Sequence, residues 1–238
     1  MTKKRIMALT PELVRLCYRD EPRGEPDPRW TPLADTDYQQ ISEQLTAKAV
    51  GDDLWVFAYG SLIWNPAFEA EESRRMTAYG WHRSFCMELL NWRGTRSQPG
   101  LMMALERGGA CQGIAYRLST GDRRAQIERL LRREVSDRES LPFLQWLPLK
   151  GADGSIEALS FWVGPIGTGI LLRQPLEAVA AIIARACGHA GSCAEYLYNT
   201  VAHLEQYGIR DRNLWRLQQL VANEIHRLHP DKTVPTRF

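Results

Sequence analysis

The alternation of apolar and polar positions along the chain separates a strand-rich middle from a helical C-terminal third. Leu54 to Tyr59 is an unbroken apolar run that stops at Gly60-Ser61, the mark of a buried strand ended by a turn. Arg83 to Leu89 mixes polar and apolar residues in a strand-like way. Leu101 to Leu105 and Cys111 to Leu118 predict a hairpin around Gly108-Gly109. Phe143 to Leu149 and Ile156 to Val163 predict another, around the glycines at 151 and 154. Few of these roughly six strands stand in the spacing of a strand–helix–strand crossover, so the pattern predicts an α+β chain with a mainly antiparallel sheet or barrel.

The helical period takes over elsewhere. Asp122 to Glu134 is amphipathic, with Asp122 as its cap. Pro175 to Cys187 has proline near its start and Gly188 as its stop. Ser192 to Tyr207 opens on a capping box of Ser192 and Glu195 and ends at Gly208. Asp211 caps a last helix to Leu228, whose stripe is Leu214, Leu217, Val221, Ile225 and Leu228. Ahead of the strands, Thr10-Pro11-Glu12 opens a short helix through Tyr18, a proline-rich connection follows, and Asp35 to Ala49 predicts a second helix. Residues 1–50 therefore form a partly helical N-terminal extension, 51–229 the main domain, and 230–238 a basic, loose tail.

Composition narrows the field. The 238 residues suffice for one large domain with an extension. A net charge of +2 with 24% charged residues singles out neither a nucleic-acid binder nor a binder of acidic surfaces. No stretch reaches the ~20 apolar residues of a membrane span, and the start carries only a token apolar run, so no membrane partner and no secretory leader are expected. The five cysteines are scattered, with no C-x-x-C, which points to reduced thiols in a cytoplasmic protein.

One side chain breaks the pattern of its helix. In the tract from Asp122 to Glu134 the apolar positions are Ile127, Leu130 and Leu131. Glu134 follows them by seven, four and three residues, which are same-face spacings. A carboxyl group on a buried stripe is pushed towards its neutral form, and the negative end of the helix pushes the same way. Both effects raise its pKa from ~4.3 towards the ~6–7 that suits a general base. The alternative is an exposed, frayed end paired with an arginine. Arg123, Arg124, Arg129, Arg132 and Arg133 are expected to form a solvated face, with no aromatic residues among them to stack on nucleic acid.

Other groupings carry less chemistry. Cys187-Gly188-His189 is a poor nucleophile–base pair, because such partners meet from distant parts of a chain. His226 and His229 lack a third ligand, so no metal site is expected. The glycine-rich run 164–169 lacks the Gly-Lys-Ser/Thr ending of a phosphate loop, and Ser61 lacks the G-x-S-x-G elbow. Tyr196, near a helix start, fits an amphipathic core. The strand ending at Gly60-Ser61 is on pattern a core strand and an ordinary turn, although such a loop can also aim backbone N–H groups at an anion.

Taken in order, four segments resemble the ChaC-type γ-glutamylcyclotransferases. VFAYGSLIWNPAF (Val56–Phe68) is similar to the family's substrate loop, and RGTRSQPGLMMALERGGACQGIAYRL (Arg93–Leu118) to the hairpin after it. LLRREV (Leu130–Val135) is similar to the segment bearing its catalytic glutamate, and AEYLYNTVAHLEQYGIRD (Ala194–Asp211) to its C-terminal helix turn. The resemblance implies a compact fold built on a small, mainly antiparallel β-barrel with peripheral helices. It implies cleavage of a small molecule, glutathione, to 5-oxoproline and cysteinylglycine, with no metal or organic cofactor. Glu134 would be the catalytic base and acid. Tyr59, Gly60, Ser61 and Leu62 would bind the glutamyl end, and Tyr196 matches a family tyrosine near the site. A monomer is expected. One departure stands out: where the family often has Tyr-x-Pro-x-Trp after its glutamate, this chain has Leu141-Pro142-Phe143-Leu144-Gln145-Trp146 and keeps only the tryptophan. That change leaves room for another γ-glutamyl amine as substrate, or for a protein that binds γ-glutamyl ligands without catalysis.

Overall fold

A computed structural model describes residues 5–48 and 53–232. The expected boundary at residue 50, the last residue of the second predicted helix, and the tail beyond Lys232 lie outside the described residues. The chain divides into two units interleaved in sequence: Met1–Pro26, Phe85–Met103 and Gly167–Phe238 form one, and Asp27–Ser84 and Ala104–Ile166 the other.

A closed five-stranded barrel, most of it in the second of these units, is made by β1 (Trp55–Ala58), β2 (Ala70–Leu89), β3 (Gly100–Leu118), β4 (Gln145–Gly151) and β5 (Gly154–Ser160). The strand order is β1-β3-β2-β4-β5. β1 pairs antiparallel with β3, with Trp55 opposite Arg117 and Ala58 opposite Ile114, and closes the barrel by pairing parallel with β5. Every residue of β1 is buried, which is why its sequence is an unbroken apolar run rather than an alternating one. β4 and β5 form the expected hairpin, with Gly151 opposite Gly154. In β4 Leu147 and Leu149 face inward while Pro148 and Lys150 face out. Gly113 lets β1 and β3 approach: a Cβ there would stand 2.5 Å from Ala58 O.

The predicted hairpin at Gly108-Gly109 does not form. β3 runs straight through both glycines, which take φ of +110° and +73°. Their neighbour is β2, where His82 Nδ1 lies 3.0 Å from Gly108 O. Left-handed glycines serve a kink in a long barrel strand as well as a two-residue turn, and sequence spacing does not separate the two. β2 is likewise longer than the Arg83–Leu89 run. Ahead of that run it intersperses buried Met76, Ala78 and Trp81 with exposed or half-buried residues, and so shows no apolar run.

Two helices flank this barrel. α3 (Arg123–Glu134) buries Gln126, Ile127, Leu130 and Leu131. α2 (Asp35–Ala47) packs on it, and Tyr38 donates its hydroxyl to Val135 O at 2.9 Å. In the other unit α1 (Pro11–Leu16) packs on α5 (Cys193–Gln206) and α6 (Arg212–Leu228), and α4 (Leu176–Ile183) packs on α6. The expected caps are in place: Thr10 accepts from Leu13 N, Ser192 from Glu195 N and Asp211 from Leu214 N. Asp122 sits at the N-cap of α3 but its side chain makes no capping bond. The predicted second helix of this region stops at Ile183, and Cys187-Gly188 instead pairs with Gly191-Ser192 as a two-residue ribbon, β6 and β7. The stripe of α6 is buried at Leu214, Leu217, Val221 and Ile225, joined by Gln218, whose amide oxygen takes the Leu9 N–H at 2.8 Å.

Candidate active site

β1 delivers Tyr59 to the end of the barrel. Tyr59 is buried, and its hydroxyl donates to Phe161 O at 2.8 Å and lies 3.5 Å from Trp162 O. Its own carbonyl accepts from Arg83 Nε at 2.6 Å. Arg83 is buried too, and also donates to Gln112 O. The strand end is thus pinned from both sides before the chain turns.

The turn is a short 3-10 helix, Ser61–Ile63, with Leu62 and Ile63 buried as its anchors. It closes with Ile63 N–H on Gly60 O at 3.0 Å, followed by Trp64 and Asn65 N–H on Ser61 O. The amides of Gly60, Ser61 and Leu62 precede the first of these bonds, so the turn itself does not consume them. Backbone donors at the start of a helical turn suit a carboxylate or a developing oxyanion.

α3 delivers Glu134. With Ile127, Leu130 and Leu131 fully buried, the same-face spacing carries Glu134 inward, and its side chain is 13% exposed. Burial pushes its pKa above the ordinary carboxyl value, and the neighbouring Arg133 offsets part of that rise. Arg133 Nε lies 3.1 Å from Glu134 Oε1. Arg133 also donates to Asn65 O, in the segment that closes the 3-10 turn. Side chains meet the end of α3: Trp162 Nε1 donates to Glu134 O at 3.1 Å, and Tyr38 caps Val135 O. The loop and the glutamate therefore share supports. Asn65 meets Arg133, and Trp162 meets both Tyr59 and Glu134.

Of the residues singled out in sequence, Tyr59, Gly60, Ser61, Leu62 and Glu134 belong to this unit. Tyr196 belongs to the other, where it is buried on α5. Its ring meets Phe85 edge-on at 5.9 Å, and Arg93 lies over it at 5.8 Å. Arg93 is held by Glu195 at 2.6 Å and by Ser192 O at 2.8 Å. The Ser192–Glu195 box is thus half made, because the Glu195 carboxylate takes the arginine instead of turning back to the cap.

Sequence reasoning missed Arg83, Arg133 and Trp162. It placed Arg133 on a solvated face, but that side chain is only 25% exposed and bonds to Asn65 O. Its place directly before an inward-facing glutamate was the one available signal. Nothing local marks Arg83 or Trp162, whose partners are far away in sequence. The dismissed thiol stays dismissed: Cys187 is fully buried, and its sulfur contacts the Arg19 backbone. Burial pushes the Cys17 and Cys193 thiols up to about 12. Among the described residues no three His, Cys, Asp or Glu side chains are grouped to hold a metal ion.

Known proteins are similar to this chain. A family described as ChaC-like protein matches residues 54–224. The glutathione-specific gamma-glutamylcyclotransferase of Escherichia coli K12 is 37% identical over 186 residues, covering 78% of this chain and 80% of that protein. The human glutathione-specific gamma-glutamylcyclotransferase 1 is 29% identical over 159 residues, covering 65% and 71%. Among solved structures, a yeast gamma-glutamyl cyclotransferase specific to glutathione superposes with a TM-score of 0.64 at 18% identity, covering 74% of this chain and 99% of that one, and so shares the fold. The barrel, the loop after its first strand and the buried glutamate all lie within the matched span, and the chain belongs to the ChaC-like family.

Proposed function

We propose that this protein is a γ-glutamylcyclotransferase that cleaves glutathione to 5-oxoproline and cysteinylglycine. The observation that carries the reading is Glu134: a buried carboxyl of raised pKa, held at the end of α3 and tied through Arg133 and Trp162 to the Tyr59–Asn65 segment.

The substrate presents an α-ammonium, an α-carboxylate and a γ-amide carbonyl. The Gly60, Ser61 and Leu62 amides receive the α-carboxylate or the oxyanion that forms at the γ-carbon. Ionised Glu134 takes a proton from the α-ammonium, and the freed nitrogen attacks the γ-carbonyl. The bond from that carbon to the cysteinyl nitrogen breaks as the proton held by Glu134 passes to the leaving amine, and the ring nitrogen gives its second proton to the carboxylate so restored, which releases it to the product amine or to solvent. Donor and acceptor nitrogens stand in one molecule, so no water or second substrate is consumed. Much of the rate then comes from holding the glutamyl chain folded on itself. Tyr196 is carried as a binding candidate on the sequence resemblance alone. The enzyme works as a monomer in the cytoplasm, which size-exclusion chromatography and fractionation test.

The raised pKa suits the double role. A carboxyl in the ordinary range would be too weak a base to take the proton from the α-ammonium. Activity should fall as pH drops through the Glu134 pKa, because the protonated form cannot accept the ammonium proton. Glu134→Gln should abolish 5-oxoproline release while leaving the fold and glutathione binding intact; near-normal turnover would remove the basis of the assignment.

A second substrate reading has one observation behind it. The altered run Leu141–Trp146 overlaps a 3-10 helix, Arg138–Phe143, and Phe143 stacks on Trp162 at 6.1 Å. One residue of the altered run, Phe143, thus lies against a support of Glu134. Comparing turnover of glutathione with that of γ-glutamyl-alanine and γ-glutamyl-lysine decides which amine half the protein prefers.

A further inference from the structure

Trp162 takes a backbone conformation that bulky side chains avoid, with φ of +56°. Non-glycine residues held there persist only where their surroundings over-determine them, and they gather at functional sites. The surroundings here are specific. The Trp162 carbonyl accepts the Leu105 N–H of β3 at 2.9 Å and lies 3.5 Å from the Tyr59 hydroxyl. Its indole N–H turns the other way and donates to Glu134 O at 3.1 Å. Its ring stacks on Phe143 at 6.1 Å and an interplanar angle of 27°. One residue just beyond β5 therefore joins the barrel wall, the strand end that carries the loop, and the last residue of α3. The left-handed backbone is what sends carbonyl and indole to opposite partners.

We propose that Trp162 is a positioning residue for the cyclisation: it sets the Glu134 carboxyl against the Tyr59–Leu62 loop through the backbone of both. This rests on the reading of Glu134 as the proton-transfer group. Trp162 touches no reacting atom. Its effect comes from fixing where α3 ends, and displacements of about 1 Å at a catalytic group cost up to ~100-fold in rate. The charged groups around that helix end are these. Arg133 pairs with the Glu134 carboxylate and holds Asn65 O, while Trp162 holds the Glu134 backbone. From α2, Asp35 pairs with Arg132, and Asp37 with Arg138 of the following 3-10 helix. Glu128 takes Arg132 within α3, and Glu139 accepts from Thr31.

The test uses Trp162→Phe, which keeps an aromatic ring on Phe143 and removes the indole donor, beside Phe143→Leu, which removes the stacking partner and keeps the donor. Trp162→Phe should lower kcat roughly 10- to 100-fold with little change in KM, and should move the acidic limb of the pH profile to lower pH as Glu134 drifts towards water. Phe143→Leu should lower the melting temperature without moving that limb. The Glu134 carboxyl is also titrated directly by carbon NMR in the wild type and in Trp162→Phe, where its pKa should fall. An unchanged carboxyl titration, or equal effects of both variants on the limb, overturns the positioning role. Failure of the cyclotransferase reading would show separately, as turnover that survives Glu134→Gln, while the titration still judges Trp162.

Discussion

Glu134 is the residue on which the proposed chemistry turns, and its placement has a cost that can be measured. Burial raises its folded-state pKa above the unfolded value. The folded state therefore binds its proton more tightly, and stability contributed by the neutral carboxyl is present below the unfolded pKa and lost as pH rises through the folded one. Glu134→Gln, which is neutral at every pH, should match the wild type in thermal stability at acid pH and equal or exceed it near neutrality. Melting curves across pH check this; a variant that is less stable only at neutral pH would mean that the Arg133 ion pair outweighs desolvation. Cys187→Ala should keep full 5-oxoproline release, because that thiol is buried on the Arg19 backbone. Loss of turnover with the fold intact would bring the thiol back into the mechanism. The inward turn of Glu134 was legible in sequence, since three apolar residues at helical spacing fix the face on which it falls. Arg83 was not: it is a cation spent on the carbonyls of Tyr59 and Gln112, and nothing local signals that use.

At the scale of elements, local chemistry was legible and long-range pairing was not. β1, the β4–β5 hairpin and the capped starts of α1, α5 and α6 each follow from neighbouring residues. β3 was predicted as two strands because a Gly-Gly pair reads alike as a turn or as a kink, and the partner that decides between them is β2. Two substitutions test how these elements hold the site. Gly113→Ala would put a Cβ 2.5 Å from Ala58 O and 2.7 Å from the Phe57 ring, inside the pairing of β1 with β3. It should destabilise the protein by about 1–3 kcal/mol, seen as a lower urea midpoint. Tyr38→Phe leaves Val135 O without the hydroxyl that caps it at the end of α3. Its expected cost is also about 1–3 kcal/mol, with a fall in turnover because the same helix end carries Glu134. Unchanged turnover in a destabilised Tyr38→Phe protein would separate the stability of α3 from its role in catalysis.

At the scale of the whole molecule, the family match at residues 54–224 covers the barrel, its loop, α3 and the helix bearing Tyr196. The four resembling segments were recognisable because they recur in order, although each alone reads as ordinary core or turn. The proposed function uses them for one ring closure at the Glu134 carboxyl group. The direct test is to incubate purified protein with glutathione and quantify 5-oxoproline, with Glu134→Gln alongside. The account predicts stoichiometric 5-oxoproline and cysteinylglycine from the wild type and none above background from Glu134→Gln. Glutathione binding without 5-oxoproline, or equal product from both proteins, would contradict it.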